Sequence, residues 1–379
     1  MGGHVAAFRP PMHMIATPRP SWLSHCARLA IAAIALFAPR LLPAQAPTPT
    51  STPTATPAVA PPTQVERPLL WRIELAPPSY LFGTIHLPDE RVNKLPPVVA
   101  DVFDRCDALY TELPMEMAQL IKHADRMQLP KGTTLREALG DELYDEVAAY
   151  VQTKGVAMAL LDRLQPWALG VQLAVLDQMK EMATKPALDM AIYQRAKRAG
   201  KTVGGLETMD EQTGAFADMT PAEHRSFVRD SLVDIVTKER AGLHPTEDLL
   251  RRYLQGDEAA IEARANDFAL TDAKLKKRLM TRLLDDRNVT MADRIVRKLQ
   301  EAPERVQVFA VGALHYPGKM GVLELLRQRG YRLTRLELTA DDAARAAEAA
   351  AVDAVIADRQ REIEALRARR AKLADAAVR

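Results

Sequence analysis

The sequence predicts an α+β protein, α/β-like in its alternation. A mixed central sheet carries two strand-end Gly-x-x-His motifs, with a large helical insertion and a C-terminal helix. Three observations predict this. Short β-type runs cluster towards the two ends of the foldable chain. Most of residues 115–300 instead has apolar side chains at helical spacing. And Gly83-Thr84-Ile85-His86 recurs about 230 residues later as Gly312-Ala313-Leu314-His315, each time at the end of an apolar run and followed by one residue and then Pro.

The first 46 residues read as a signal peptide rather than as part of the fold. Arg28 precedes an apolar run over 29–38, and Ala44-Gln45-Ala46 supplies a small-x-small cleavage pattern. The run is short for a membrane span, and Pro39 and Arg40 interrupt it. The positive region before it is long, which makes Met12 or Met14 alternative starts. Cleavage gives a periplasmic or secreted protein with no stable membrane span; an uncleaved signal anchor is the alternative. Residues 47–67 form a Pro/Thr-rich linker without apolar periodicity, too poor in apolar surface to fold. Of the two cysteines, Cys26 lies in the signal segment, so the mature chain has one thiol, Cys106, and no internal disulfide.

The foldable domain spans 68–340. Residues 69–75 alternate bulky and polar side chains, Pro77-Pro78-Ser79 breaks the pattern and 80–85 resumes it, which predicts a β-hairpin with His86 at its exit. Further strands are expected over 108–113, 201–206, 306–311 and 332–338. Helices are expected over 115–127, 134–153, 166–182 and 188–199, with several more between 221 and 299. The tail, 341–379, is rich in Ala, Arg, Glu and Asp, with Val352, Val355, Ile356, Ile363 and Leu366 at helical intervals. It predicts an amphipathic helix that docks on the domain, pairs with a second copy in a homo-oligomer, or stays on the surface. Lys and Arg total 51 against 49 Asp and Glu, and no basic cluster is interleaved with aromatics, so nucleic acid is excluded as a partner.

Two imidazoles delivered by strand ends point to a hydrolytic metal site, although two buried histidines satisfied by backbone carbonyls would leave the same pattern. A catalytic zinc-type centre needs about three protein ligands and an open position for water. His86 and His315 supply two nitrogens, and Glu112, at a strand end, is the best third ligand. Imidazole with carboxylate suits Mn, Co or Zn, and Fe as well, so the divalent ion is not fixed. Glu207, which follows a Gly-rich strand, is the candidate general base or a carboxylate that supports the ligands from behind; a carboxylate near a helix start is its alternative. Arg287 is the candidate for stabilising developing charge or a substrate carboxylate, against a surface salt bridge. His123, His224 and His244 fall on polar segments and read as solvated. HExxH, GxSxG, Walker-type and CxxC motifs do not occur, which removes the zincin, serine-hydrolase, nucleotide-binding and thioredoxin-like readings.

The chain resembles the TraB/PrgY/GumN family, which includes the animal Tiki proteases. The resemblance rests on residues 81–88 (LFGTIHLP), 110–113 (YTEL), 205–208 (GLET) with Gln212, and Arg287-Asn288. It continues through 311–318 (VGALHYPG), Gly321-Val322-Leu323, Leu326 and Gly330-Tyr331, covering about residues 68–340. It implies a paired-GxxH fold related to haem-binding ChaN-like and erythromycin-esterase-like proteins. For the Tiki branch it implies a metal-dependent protease using both motif histidines and a glutamate matched here by Glu112. The Pro/Thr linker and the C-terminal helix depart from that pattern. The expectation is therefore a metal-dependent hydrolase of the peptidase type, acting on a peptide or protein. The alternatives are a peptide- or haem-sequestering protein on the same scaffold, and a metal-free ester hydrolase with a histidine as base.

Overall fold

The computed structural model describes residues 62–116, 124–266 and 270–378. The segment read as a signal peptide and most of the expected linker lie outside these, as do His123 and most of the helix expected over 115–127. Six strands form one mixed sheet: β1 (Leu70–Ile73), β2 (Ser79–Thr84), β3 (Ala108–Thr111), β4 (Thr202–Gly205), β5 (Gln307–Gly312) and β6 (Leu333–Arg335), in the order β4-β3-β5-β2-β1-β6. The α+β class holds, and so does the hairpin: β1 and β2 pair antiparallel, with Leu70 opposite Phe82. β2, β5, β3 and β4 run parallel to one another, and β6 pairs antiparallel with β1.

The strand sequences account for their places. β5 (QVFAVG) is buried at every position, as a central parallel strand covered on both faces must be. β4 (TVGG), with two glycines and no fully buried residue, sits at an edge. The sheet core includes Leu70, Ile73, Leu81, Leu109, Val308 and Phe309, and the helices at Leu188–Arg198 and Asp286–Glu301 pack on it through Ile192, Met291 and Ile295.

A second apolar core lies wholly within the insertion, drawing on Leu135, Val147, Trp167, Phe216, Phe227 and Leu279. Its centre is the helix Pro166–Leu173, buried on all sides and packed against Pro221–Arg240. Two helices expected as single are broken. The one over 134–153 splits into Leu135–Leu139 and Asp141–Thr153 at Gly140, whose φ of 84° is a conformation that side chains with a Cβ avoid. The one over 166–182 ends at Leu173 and resumes only at Met179–Met182.

The C-terminal helix, Ala340–Val378, forms as expected. It is tied to the domain near its start by Arg345–Asp101 and Lys94–Asp353 ion pairs at 3.0 and 2.6 Å. Val352, Val355, Ile356, Ile363 and Leu366 all face solvent, so within one chain the helix does not dock through its apolar residues. His244 is exposed, but His224 is half-buried with Nδ1 sealed from solvent, so burial lowers its pKa and the solvated reading is corrected. Among the described residues, no helix is long and apolar enough to cross a membrane.

Candidate active site

Because β2, β3, β4 and β5 are parallel, their carboxyl ends lie along one edge of the sheet, where open α/β folds place their ligands. The residues just past those ends are His86, Glu112, Glu207 and His315. Thr84 is in register with Gly312, so the two motif turns leave neighbouring strands side by side. Glu112 emerges from β3 on the far side of β5. A cleft over this edge encloses roughly 930 Å³, its open mouth included, and is lined by both motif histidines, Glu112 and Arg287.

Each imidazole is held at Nδ1, which turns Nε2 towards Glu112. His86 Nδ1 lies 2.7 Å from Asp189 Oδ2, and Thr84 Oγ1 donates to the other oxygen of that carboxylate at 2.5 Å. His315 Nδ1 lies 2.6 Å from Asn288 Oδ1. The two Nε2 atoms then stand 3.7 and 3.6 Å from the same oxygen, Glu112 Oε1. The different partners separate the two rings electrically. Burial lowers the pKa of His86, but the Asp189 carboxylate, aided by Glu112, outweighs it and brings the value up to about 9. For His315 burial prevails, with Arg287 and His86 adding to it against Glu112, and the value falls to about 3. Burial would raise Glu112, but His315, Arg287, His86 and the Gly312 N–H together bring it to about 2.

Arg287 ties the acidic groups together. Its Nη2 donates to Glu112 Oε2 at 2.8 Å and to Glu207 Oε1 at 2.5 Å, while Nε donates to Glu207 Oε2 at 2.9 Å. Gln212 Nε2 spans the same two carboxylates at 3.2 Å each. The guanidinium is 12% exposed, so the reading of Arg287 as a surface salt bridge does not hold. Its position depends on a π-helical turn, Thr281–Asp285, set between the helices Ala273–Met280 and Asp286–Glu301. The wider turn shifts the helical phase, and Arg287 Nη1 donates to the Leu283 carbonyl at 3.0 Å. Such turns often occur at functional sites.

Glu207 is buried, and both of its oxygens are bound by Arg287; it lines a separate opening on the other side of that arginine, not the histidine cleft. It is not part of the Thr208–Glu211 capping box that starts the next helix. Asp189, absent from the sequence-derived set, supports His86. Its signal is its place in the periodicity: Asp189, Ile192, Tyr193 and Ala196 share the buried face of one helix, and a carboxylate on an apolar face needs a partner. Asn288 and Gln212 stood in the quoted motifs without an assigned role.

Among the described residues, no three His, Cys, Asp or Glu side chains form a ready-made ion cage. The floor of the cleft is instead a hollow beneath the two rings. A Cβ on Gly312 would fall 2.9 Å from Glu112 Oε1, 3.4 Å from His86 Nε2 and 3.5 Å from His315 Cδ2. The missing side chain thus leaves space between two imidazole edges and a carboxylate oxygen, a donor set suited to a divalent transition metal. The orienting partners on both Nδ1 atoms are those that ligand histidines ordinarily have.

A mixed sheet with two Gly-x-x-His turns converging on a strand-end glutamate defines a paired-GxxH protein. The chain belongs to the TraB/PrgY/gumN family, whose model matches residues 69–335. It is similar to Metalloprotease TIKI1 of Danio rerio, 26% identical over 306 residues, covering 70% of this chain and 62% of that one. It is also similar to Metalloprotease TIKI1 of Homo sapiens, at 25% over 311 residues, 70% and 61%. The Metalloprotease TIKI homolog of Amphimedon queenslandica matches at 24% over 314 residues, 71% and 62%. The chain therefore spans less than two thirds of the length of these relatives. No solved structure matches it.

Proposed function

We propose that the protein is a secreted or periplasmic metal-dependent peptidase whose ion is held by His86, His315 and Glu112. The observation that carries this reading is the space at Gly312, bounded by His86 Nε2, the Cδ2 edge of His315 and Glu112 Oε1, with both Nε2 atoms within 3.7 Å of that oxygen. An ion of the Mn, Co or Zn type would supply Lewis acidity there, polarising a scissile carbonyl and acidifying water. The protein's own residues do the rest. Asp189 and Asn288 fix the ring orientations. Arg287 holds Glu112 by its second oxygen, leaving Oε1 turned to the histidines, and offers positive charge at the cleft wall for an oxyanion. Glu207 keeps Arg287 in place rather than serving as the base, because the guanidinium holds both of its oxygens.

One observation favours a second reading. Both oxygens of Glu112 already accept hydrogen bonds, Oε1 from Gly312 N at 2.6 Å and Oε2 from Arg287, while His86 and Asp189 form a carboxylate–imidazole dyad that becomes a general base only as pH rises through its pKa of about 9. That arrangement suits metal-free hydrolysis. The deciding experiment is metal content by mass spectrometry on untagged mature protein beside a His86→Ala/His315→Ala variant, with peptide cleavage before and after chelation. About one ion per chain in the wild type only, and cleavage abolished by chelation and restored by metal, is expected. Full cleavage after exhaustive chelation overturns the metal reading and leaves the dyad.

A further inference from the structure

The C-terminal helix, Ala340–Val378, is 39 residues and about 58 Å long, and the Arg345–Asp101 and Lys94–Asp353 ion pairs tie it to the domain near its start. Beside and beyond those ties Val352, Ile356, Ile363 and Leu366 stand 47–57% exposed. Taken with Arg359, they follow one another at intervals of four, three, four and three residues. That is the repeat of a coiled coil, with Ile356 and Ile363 at its a positions and Val352, Arg359 and Leu366 at its d positions. So narrow a seam suits one other helix, whereas a helix that covers a globular core needs a wider apolar stripe.

The charges that flank the seam are complementary to themselves. Glu362 falls at a g position and Arg367 at the e position five residues on, the spacing that sets g of one helix beside e of a parallel partner. Each helix thus carries both halves of the pair, and a two-fold axis forms it twice, as an isologous interface requires. Glu362 also accepts a bond from Arg359 at 2.6 Å, which neutralises the cation placed in the seam. One heptad earlier the same spacing would set Glu348 against Asp353. Asp353, however, is held by Lys94 of its own domain, so the seam opens at Val352, where the tie to the domain ends. A membrane surface is the poorer match. An interfacial helix sets aromatic and aliphatic residues opposite a basic face, but here Asp358, Glu362 and Glu364 intermingle with Arg359, Arg361 and Arg367, and residues 340–378 include no aromatic.

We propose that residues 352–366 form a homodimerisation seam, a parallel two-stranded coiled coil between two copies of this chain. Ile356 and Ile363 pack against their own counterparts across the two-fold axis, and Glu362 meets Arg367 of the other copy. The stem of Arg359 lies along the seam with its guanidinium turned out to Glu362. Both domains then sit at the same end of a short rod, and the interface is confined to the helix. The proposal is independent of the chemistry in the cleft.

The test is sedimentation equilibrium on the mature protein across the micromolar range. Wild type is expected to pass from one-chain to two-chain mass as concentration rises. Ile356→Asp/Ile363→Asp should weaken association at least ~100-fold, because the dimer buries four isoleucines, while Ile356→Val/Ile363→Val keeps the two-chain mass. Glu362→Arg should weaken it by about 2- to 10-fold, and Arg367→Glu added to the same chain should restore it. Mild oxidation of Leu366→Cys is expected to link two chains, because parallel pairing brings the two copies of that position together; wild type, whose Cys106 is buried, should not link. Thermal melting of the domain is expected to stay the same in every variant, which separates loss of association from loss of fold. One-chain mass at every concentration, a mass of three or more chains, or undiminished association in the Asp variant overturns the proposal. So does one-chain protein that binds phosphatidylserine vesicles through the same isoleucines, which assigns the stripe to a membrane surface. Two-chain mass in Leu366→Cys without an oxidative link overturns the parallel seam.

Discussion

Gly312→Ala tests the site with the least collateral change. The residue has φ −52° and ψ 135°, which alanine adopts freely, so no backbone strain arises. The added methyl meets Glu112 Oε1 at 2.9 Å, tighter than a carbon–oxygen contact allows, and the carboxylate must retreat by several tenths of an ångström. Retreat weakens its 2.6 Å bond from Gly312 N, a charge-assisted bond worth about 1.5–3 kcal/mol. Against this, alanine restricts the unfolded chain by about 0.4–1 kcal/mol. The net is a loss on the order of 1–2 kcal/mol, or roughly 2–8 °C in Tm for a domain of this size. The protein therefore folds, but the hollow between the histidines and Glu112 is filled. Metal stoichiometry and peptide cleavage should both collapse. Gly83→Ala is the matched control: its Cβ meets Leu69 Cβ at 2.8 Å, away from the site, so it costs stability by overpacking, about 1–3 kcal/mol, yet keeps the bound ion. A Gly312→Ala protein that binds metal and cleaves like wild type would refute the assignment of this hollow.

Further outcomes follow from the charges. In Asp189→Asn the main counter to burial is gone, and His86 in the metal-free protein should titrate well below its wild-type value of about 9, read by imidazole NMR; an unchanged value removes Asp189 from its role. With the folded pKa raised, His86 stabilises fully below about 6.5 and loses that contribution as pH climbs through about 9. His315 acts in the opposite sense. Its folded pKa of about 3 lies below the unfolded value, so between about pH 6.5 and 3 the unfolded chain binds the extra proton and stability falls with pH, by up to ~1.4 kcal/mol per pH unit. Urea titrations of metal-free protein at pH 7 and 5 should show this slope, and His315→Gln should reduce it. Arg287→Met leaves two buried carboxylates without their cation and should cost about 3–5 kcal/mol, with Glu207→Gln in the same chain recovering part of it; additive losses would contradict the shared pairing. Truncation after residue 351 removes the solvent-facing apolar residues of the last helix and should leave Tm within about 2 °C, the scale of surface changes.

The strands were legible because their signals are local: alternation over 69–75, the Pro77-Pro78 break and the apolar run before Gly312 each lie within a few residues. His86, Glu112 and His315 were legible for the same reason, each standing just past a readable strand end. Sequence order alone could not say that β3 and β4 would pair beside β5, nor that Arg287 would reach across to Glu112 and Glu207. That reach depends on the π-helical turn, an extra residue in a helix that leaves no trace in the periodicity. Asp189 was hidden for another reason. An acidic residue in the first turn of a helix reads as an ordinary partner of the helix dipole, and only the location of the buried face reveals that it points inwards.

The central strand pair has a consequence in time. Tyr80 lies against Val308, so β2, already paired with β1, waits for more than half of the chain to be made before its parallel neighbour exists. Pairings this distant in sequence form late and slowly. The groups that define the cleft, one behind each parallel strand, are therefore scattered until the last of those strands arrives. A chain that ends before Gln307–Gly312 lacks both the central strand and His315, so the emergence of that strand, not of the C-terminal helix, is the step that completes the cleft.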